Sequence, residues 1–559
     1  MGRSSMLNTK DEPTTEDGHG QQTSTSLVFA WVILSVGVGA FFSLAIDSQS
    51  FAFRTFPDDA MFYFTIARNI CSGAGSTIDG ISKTNGYHPL WMIVLLGLSK
   101  CFQNLVRAGI VTEFVVSAGT LTMLCLYARK YLGTTAALAL AIIASFEQTW
   151  YKVMYCGMES GLVIFFLLLS LYVLREAGHR AAWRWILSAC LCLFFLARLD
   201  GWALCLAIVP AMWMTPGPIP ADGKRKGRLL AEILALPTLT LAGYLLFNLA
   251  NYSSVMPVSG LIKSYHLEEF TRLDTAEYLQ QAAIRFFNLY AVYPFFLAVK
   301  IVFGRNLYEG RISWIHMIYC LSVVALLVTF ARRLRRTGQM DVSLWALAWL
   351  VVLRAGYYAL LQKDTYSLGM WVKGPELLAL SLAGCALCVQ VVGPLWKKDN
   401  RHLVTASYAA LLLMGAEVHH LRNLRLDRLQ DYSISAQDFR DAIVYVHDQV
   451  PAETVLASHN VGFFSYYSGH PTISVDGLVN SYRYYIEYKA RNRELDYLRV
   501  NGVRWLIEKV EKAEPSLDGI QRLYPGLASR DVRILKEFDL GQNNPLINGK
   551  YVFAELMRP

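Results

Sequence analysis

The sequence predicts a polytopic α-helical membrane protein, with about 11 transmembrane helices followed by a small C-terminal extracytoplasmic α/β domain. Two observations carry that prediction. The 559-residue chain is 54% hydrophobic and only 17% charged, against about 25% charged in soluble domains. Its apolar runs also recur at lengths that cross a bilayer, about 20 residues each. A third observation sets the tail apart: beyond about residue 420 the sequence turns polar and alternates extended with helical segments.

Residues 1–25 are polar and lack the apolar core of a cleaved signal peptide; they are read as a disordered cytoplasmic tail. The first span, "SLVFAWVILSVGVGAFFSLAI" at 26–46, reads as an uncleaved anchor. Further spans are expected near 108–128, 132–150, 157–174, 184–198, 200–215, 229–250, 311–331, 342–361, 375–396 and 402–418. Clusters of Lys and Arg mark the cytoplasmic side. They stand at Arg129–Lys130, at Arg175, Arg180 and Arg184, in "KRKGR" at 224–228, in "RRLRR" at 332–336 and in "KKDNR" at 397–401. All of them face inward if "FFNLYAVYPFFLAVKIVF" at 286–303 is a re-entrant or interfacial helix broken near Pro294. The transmembrane unit then covers 26–418, with a first outer loop at 47–107 and a soluble outer domain at 419–559.

The net charge of +9 resides mostly in those inner clusters. It reads as topology and contact with anionic lipid head groups, not as nucleic-acid binding. Most of the 10 cysteines fall inside expected spans and none follows Cys388, so the outer domain has no disulfide framework. In the tail, "FRDAIVYVHDQV" and "GFFSYYSG" read as helical, and "TVLASH", "TISVDG" and "GVRWLIEKV" as extended.

The chemistry is expected on the outer face, where unusual acids and bases collect. In "FPDDAMFYFTIARN", Pro57 precedes Asp58 and Asp59 at a helix start, with Gly73 or Gly75 as the stop. The apolar residues between them predict a helix lying in the interface against the spans. Asp58 near the N-cap would account for one acid, at about 1 kcal/mol. Adjacent helical residues point about 100° apart, so the second acid is free for another task. Glu159 in "GMESG" opens a span, where it could complement the helix dipole. Asp200 in "ARLDG" stands beside Arg198, and the two could neutralise each other. Cations gather on the same face: Arg68, Lys83, His88, Arg198 and Lys263, the last in "PVSGLIKS". A single such Lys can simply snorkel to lipid. Several cations beside unpaired acids suit a phosphate held by charge-assisted bonds while a carboxylate takes a proton.

The outer-loop pattern "DDA…ARN…DG…TNGYHPLW" resembles the GT-C superfamily of membrane glycosyltransferases, and most of all bacterial polyprenyl-phosphate-dependent enzymes of the arabinofuranosyltransferase and mannosyltransferase type. "GMESG", "ARLDG", "PVSGLIKS" and "SVDGLVN" are similar to blocks in the same enzymes. The resemblance implies a GT-C-like transmembrane domain in a cell membrane, most simply a bacterial plasma membrane, with its site on the extracytoplasmic side. It further implies a polyprenyl-phosphate-linked sugar donor, a glycan or lipid-linked acceptor, and one inverting displacement. Asp58 takes the place of the base and Asp59 of its orienting neighbour, roles that could be exchanged. His88, Arg198 and Lys263 are the candidates for the donor phosphate; Glu159, Asp200 and Asp476 are those for acceptor or sugar hydroxyls. Asp476 could equally hold a strand-to-turn junction. No cofactor is required, although Mg or Mn could bridge acids and phosphate. The Asp-Asp pair departs from the Asp-Glu of protein O-mannosyltransferases, which makes a protein acceptor less suited. A flippase for lipid-linked sugar is the rival; it would call for inverted repeats and mid-span ionisable residues, and neither stands out in the sequence.

Overall fold

The computed structural model describes residues 47–146, 148–176, 181–215, 223–264, 275–287, 341–362, 373–392, 436–451, 454–540 and 549–557. The expected spans at 26–46, 311–331 and 402–418 lie outside the described residues, as does 288–303 of the expected re-entrant segment.

Three of the described helices are long and apolar enough to cross a membrane: Leu105–Leu132, Gly223–Tyr252 and Val342–Leu361. The first, with 28 residues, extends about 42 Å at 1.5 Å per residue. Its start is fixed by the Asn104 side chain, which accepts the Arg107 N–H. Gly133 ends it at φ 79, the left-handed C-terminal position that glycine occupies without strain. Shorter apolar helices fill the bundle: Thr134–Phe146, Ser160–Glu176, Ala181–Ala197, Trp202–Met214 and Gly374–Val392. Expected spans at 157–174, 184–198, 200–215 and 375–396 thus appear as helices with ends shifted by a few residues. The expected 132–150 span is described in two pieces, Thr134–Phe146 and Gln148–Met154. At one end of the bundle Asp341 caps Val342–Leu361 through the Ser343 and Leu344 N–H groups and binds Lys130 at 2.7 Å. That bond ties two long helices together at the end opposite Asn104.

The loop 47–107 is helical for much of its length, as Ser48–Thr55, Asp58–Cys71 and Pro89–Cys101. Asp58–Cys71 does not lie against lipid as its apolar sequence suggested. Ala60 through Ala67 are continuously buried, because this helix is covered by Pro89–Cys101 and by the C-terminal domain helix Gly462–Tyr467. A helix apolar all round belongs in a core, and here that core lies between two domains.

The C-terminal domain carries a five-stranded sheet of order β2-β1-β3-β5-β4. Strands β1 (Leu456–Ser458), β2 (Thr472–Ser474) and β3 (Trp505–Val510) run parallel, and β4 (Val532–Leu540) and β5 (Gly549–Leu556) complete it antiparallel. The register pairs Ser458 with Ser474. Residues that follow β1 and β2 therefore emerge side by side, at the carboxyl ends where open parallel sheets bind ligands.

Candidate active site

Two acids begin the helix Asp58–Cys71, and they do different things. Asp58 was expected to cap its own helix. Pro57 holds the cap position instead, with no side-chain cap bond. The Asp58 carboxylate reaches across to the C-terminal domain and accepts the backbone N–H of Gly462 at 2.9 Å and of Phe463 at 3.0 Å. It therefore caps the helix Gly462–Tyr467. Farther along, Arg68 donates to the Ser465 and Tyr466 carbonyls at 2.9 Å each, and Thr65 meets Ser465 at 3.1 Å. A carboxylate at one end of this short helix and a guanidinium at the other complement its exposed N–H and C=O groups. Burial pushes the Asp58 carboxyl up to about 7; the two N–H bonds pull it down, and nearby Asp59 and Asp476 push it up further. The Asp59 carboxylate accepts no hydrogen bond among the described residues, and its charge is felt by Asp58 and Asp476.

Asp476 follows β2. Its Oδ1 accepts the Leu478 N–H at 3.1 Å and the Ser474 hydroxyl, so it does hold the strand-to-turn junction. Burial raises its pKa, while the same turn bonds and His459 oppose that shift. His459, just past β1, was not singled out from the sequence. Its Nδ1 lies 3.0 Å from Oε1 of Glu508 on β3, and Tyr524 donates its hydroxyl to the same oxygen. Burial lowers the His459 pKa, but Glu508 outweighs it and the net shift is upward. A lone His in "ASHNVG" carries no sequence signal for a partner 49 positions away.

A second polar group lies in the bundle. Glu159 is fully buried and accepts Tyr63 Oη at 2.9 Å and Arg198 at 2.8 Å. Arg198 Nε lies 3.1 Å from Asp200. Asp200 binds Arg354, which binds Glu376 at 2.8 Å. Arg198 and Asp200 are thus paired, as their adjacency allowed, but inside a longer chain of alternating charges. Arg354 and Glu376 extend it; both sit in apolar sequence, and a pairing across helices leaves no spacing signature. His88 Nε2 lies 3.5 Å from Glu159 and its N–H donates to Tyr63 Oη at 3.2 Å. Burial lowers the His88 pKa, against the pull of Glu159. Lys263 ends the helix Val258–Lys263, is half-buried, and makes no ion pair among the described residues.

Glycines explain why the motifs have their form. Gly157 stands at φ +74, and a Cβ there would lie 2.7 Å from the Phe56 ring. Its N–H donates to Glu113 at 2.6 Å and its carbonyl accepts Trp91 Nε1 at 3.0 Å, so "GMESG" is pinned two residues before Glu159. A Cβ on Gly86 would lie 2.1 Å from the Leu478 carbonyl oxygen, and one on Gly477 would lie 2.8 Å from Ile262. "TNGYH" and "SVDGLVN" therefore meet backbone to backbone, and "GLIKS" packs its Ile262 side chain on Gly477. The Asn85 side chain also accepts the Val258 N–H at 3.0 Å. Among the described residues no three His, Cys, Asp or Glu side chains converge at metal-ligand spacing. Asp58 and Asp476 are instead occupied by N–H and O–H donors.

The fold matches known structures. The archaeal oligosaccharyltransferase AglB from Archaeoglobus fulgidus, in complex with an inhibitory peptide and a dolichol-phosphate, is 12% identical with a TM-score of 0.51, over 86% of this chain and 69% of that one. The same enzyme in complex with Zn and sulfate gives a TM-score of 0.52 at 12% identity, over 85% of this chain and 68% of that one. ArnT from Cupriavidus metallidurans in the apo state is 13% identical with a TM-score of 0.50, over 95% of this chain and 99% of that one. The chain has the GT-C fold. Residues 424–552 match a domain of unknown function (DUF8728), so the GT-C bundle here carries that domain as its tail. No curated protein matches the sequence.

Proposed function

We propose that this protein is a membrane glycosyltransferase that moves a sugar from a polyprenyl-phosphate carrier to a hydroxyl of a glycan or lipid-linked acceptor, on the extracytoplasmic face. Asp59 is the base. It takes the acceptor proton as the acceptor oxygen bonds to the anomeric carbon, and the carbon–oxygen bond to phosphate breaks. Polyprenyl phosphate leaves with that electron pair, and the single displacement inverts the centre. The observation that carries this reading is the meeting of "TNGYH", "GLIKS" and "SVDGLVN", with Asp59 close enough to Asp476 for its charge to be felt there. A fold shared with AglB, whose structure holds a dolichol-phosphate, supports a polyprenyl-phosphate carrier.

Asp59 is preferred to Asp58 because both Asp58 oxygens are bound to the C-terminal domain. Asp58 is then a positioning residue. Lys263, without an ion-pair partner among the described residues, is the first candidate to hold the departing phosphate, and His459, held by Glu508, is a second. Cations aimed at a leaving phosphate stabilise the charge that develops on it. Arg198, Glu159 and Asp200 are engaged with one another, and their proposed role is to hold the bundle wall behind His88 in place. The donor sugar is a pentose or hexose of the arabinofuranosyl or mannosyl type. No metal is required in this reading, although Mg or Mn could bridge acids and phosphate; transfer measured with and without EDTA separates the two.

The test uses the full chain in lipid nanodiscs with radiolabelled polyprenyl-phosphate pentoses and hexoses and a panel of glycan acceptors. Wild type transfers the label. Asp59→Asn binds donor but loses at least about 100-fold in kcat, the range expected for a lost general base. Transfer that survives Asp59→Asn, or label that only changes leaflets, overturns the proposal.

A further inference from the structure

A cavity of about 330 Å³ opens where the outer loop, the end of the helix Gly223–Tyr252 and the C-terminal domain meet. It is lined by Lys83, Asn251, Tyr252, Ser481, Tyr482 and Arg483, among others. Such a volume is at the small end of ligand pockets and admits roughly one or two sugar rings. The lining is built to receive a polar ring. Tyr252 is fixed through its hydroxyl to Tyr87 at 3.3 Å, and Tyr87 to Ser76 at 2.9 Å. The chain turns beside it at Ser253, a non-glycine residue at φ 57, a conformation uncommon outside glycine and worth a functional question. Asn251 uses its amide N–H on the Phe247 carbonyl at 2.8 Å and keeps its oxygen to accept. Arg483 and Glu487 neutralise each other at 2.9 Å. Lys83 is exposed and has no ion pair among the described residues, so the cavity carries one uncompensated positive charge.

Two chain segments lead from this cavity to the acids. One runs from Lys83 to His88 and the other from Asp476 to Tyr482, and they touch where Gly86 meets Leu478. Five residues of extended chain span at most about 18 Å, so Lys83 and His88 are a few sugar units apart. We infer that this cavity is a second saccharide subsite, which takes an anionic sugar unit of the acceptor two or three units from the reacting hydroxyl. Lys83 meets the phosphate or carboxylate, and Tyr252 and Tyr482 flank the ring. Its assignment to the acceptor rests on the transferase reading; the binding itself does not.

The experiment therefore reads binding, not transfer. Glucose 6-phosphate, glucuronic acid, methyl glucoside and inorganic phosphate are titrated into the full chain in neutral-lipid nanodiscs by saturation-transfer NMR. The expected result is that both anionic sugars bind and methyl glucoside binds at least tenfold more weakly. Lys83→Ala and Tyr482→Ala each weaken the anionic sugars tenfold or more while melting like wild type, and Asp59→Asn binds as wild type does. The inference is overturned if inorganic phosphate binds as tightly as glucose 6-phosphate, or if neither variant changes binding. It is also overturned if nanodiscs of phosphatidylglycerol abolish sugar binding, which would make the cavity a lipid head-group site. Absence of transfer alongside the expected binding would sink the transferase reading alone.

Discussion

Asp58 and Gly462 lie 404 positions apart, and the carboxylate of the first accepts the backbone N–H of the second at 2.9 Å. Together with the Phe463 bond, this makes one of two adjacent acids a clamp between domains. The other, Asp59, accepts no hydrogen bond among the described residues and stands at the same helix end.

The clamp has no room for a side chain at Gly462, where a Cβ would lie 2.1 Å from the Asp58 carbonyl oxygen. Gly462→Ala should destabilise by about 1–3 kcal/mol, the usual cost of overpacking. Thermal melting in nanodiscs would show a lower Tm. A melting curve equal to wild type would mean that the two domains do not meet here.

Stability should also depend on pH through Asp58. Its carboxyl stands at about 7 in the folded protein against an ordinary 3.8. The unfolded chain therefore loses this proton first, and stability falls as pH rises from about 4 to about 7. Asp58→Asn removes that slope. Tm recorded from pH 4 to 8 for wild type and variant checks it, and parallel curves would count against the assignment.

Gly157→Ala should displace Glu159. An L-residue in the left-handed region costs about 1–2 kcal/mol, and the Phe56 ring adds a clash. Both a lower Tm and a rise in donor KM are expected in transfer assays. Gly97→Ala, with open space around its Cβ, serves as the control and should change neither.

The buried charge chain makes a sharper demand. Arg354→Met takes from Glu376 the guanidinium it binds and leaves Asp200 with Arg198 alone. Breaking a buried ion pair on one side costs about 3–5 kcal/mol, so the variant should fold poorly, with low yield of monodisperse protein. Glu376→Gln leaves one of the two pairs intact and should be milder. Equal behaviour of the two would refute the chain as a stabilising unit.

Much of this was legible in the residues. The described helices start and stop close to the expected spans because hydrophobicity and caps act over one or two turns. Extended segments at 456–458, 472–474 and 505–510 were each announced by short apolar runs. The antiparallel strands at 532–540 and 549–556 were missed. "VRILKEFDL" mixes charges into its strand, and only pairing with its neighbour gives those residues a face. The motifs were visible as well, and the structure brings them together. Their division of labour was not visible, because a hydrogen bond between Asp58 and Gly462 has no local signature.

Sequence alone determined the class: apolar runs that must be helical in lipid, cations gathered in short clusters, and a polar tail able to form its own sheet. Those are consequences of composition and of period, and they need no partner. Tertiary structure decided which acid is bound and which is free, which cations are spent on buried carboxylates, and that His459 pairs with Glu508. Most of these depend on groups well separated in the sequence, 404 positions for Asp58 and Gly462. The energy of a charge is set by what surrounds it, and the sequence order does not record those surroundings.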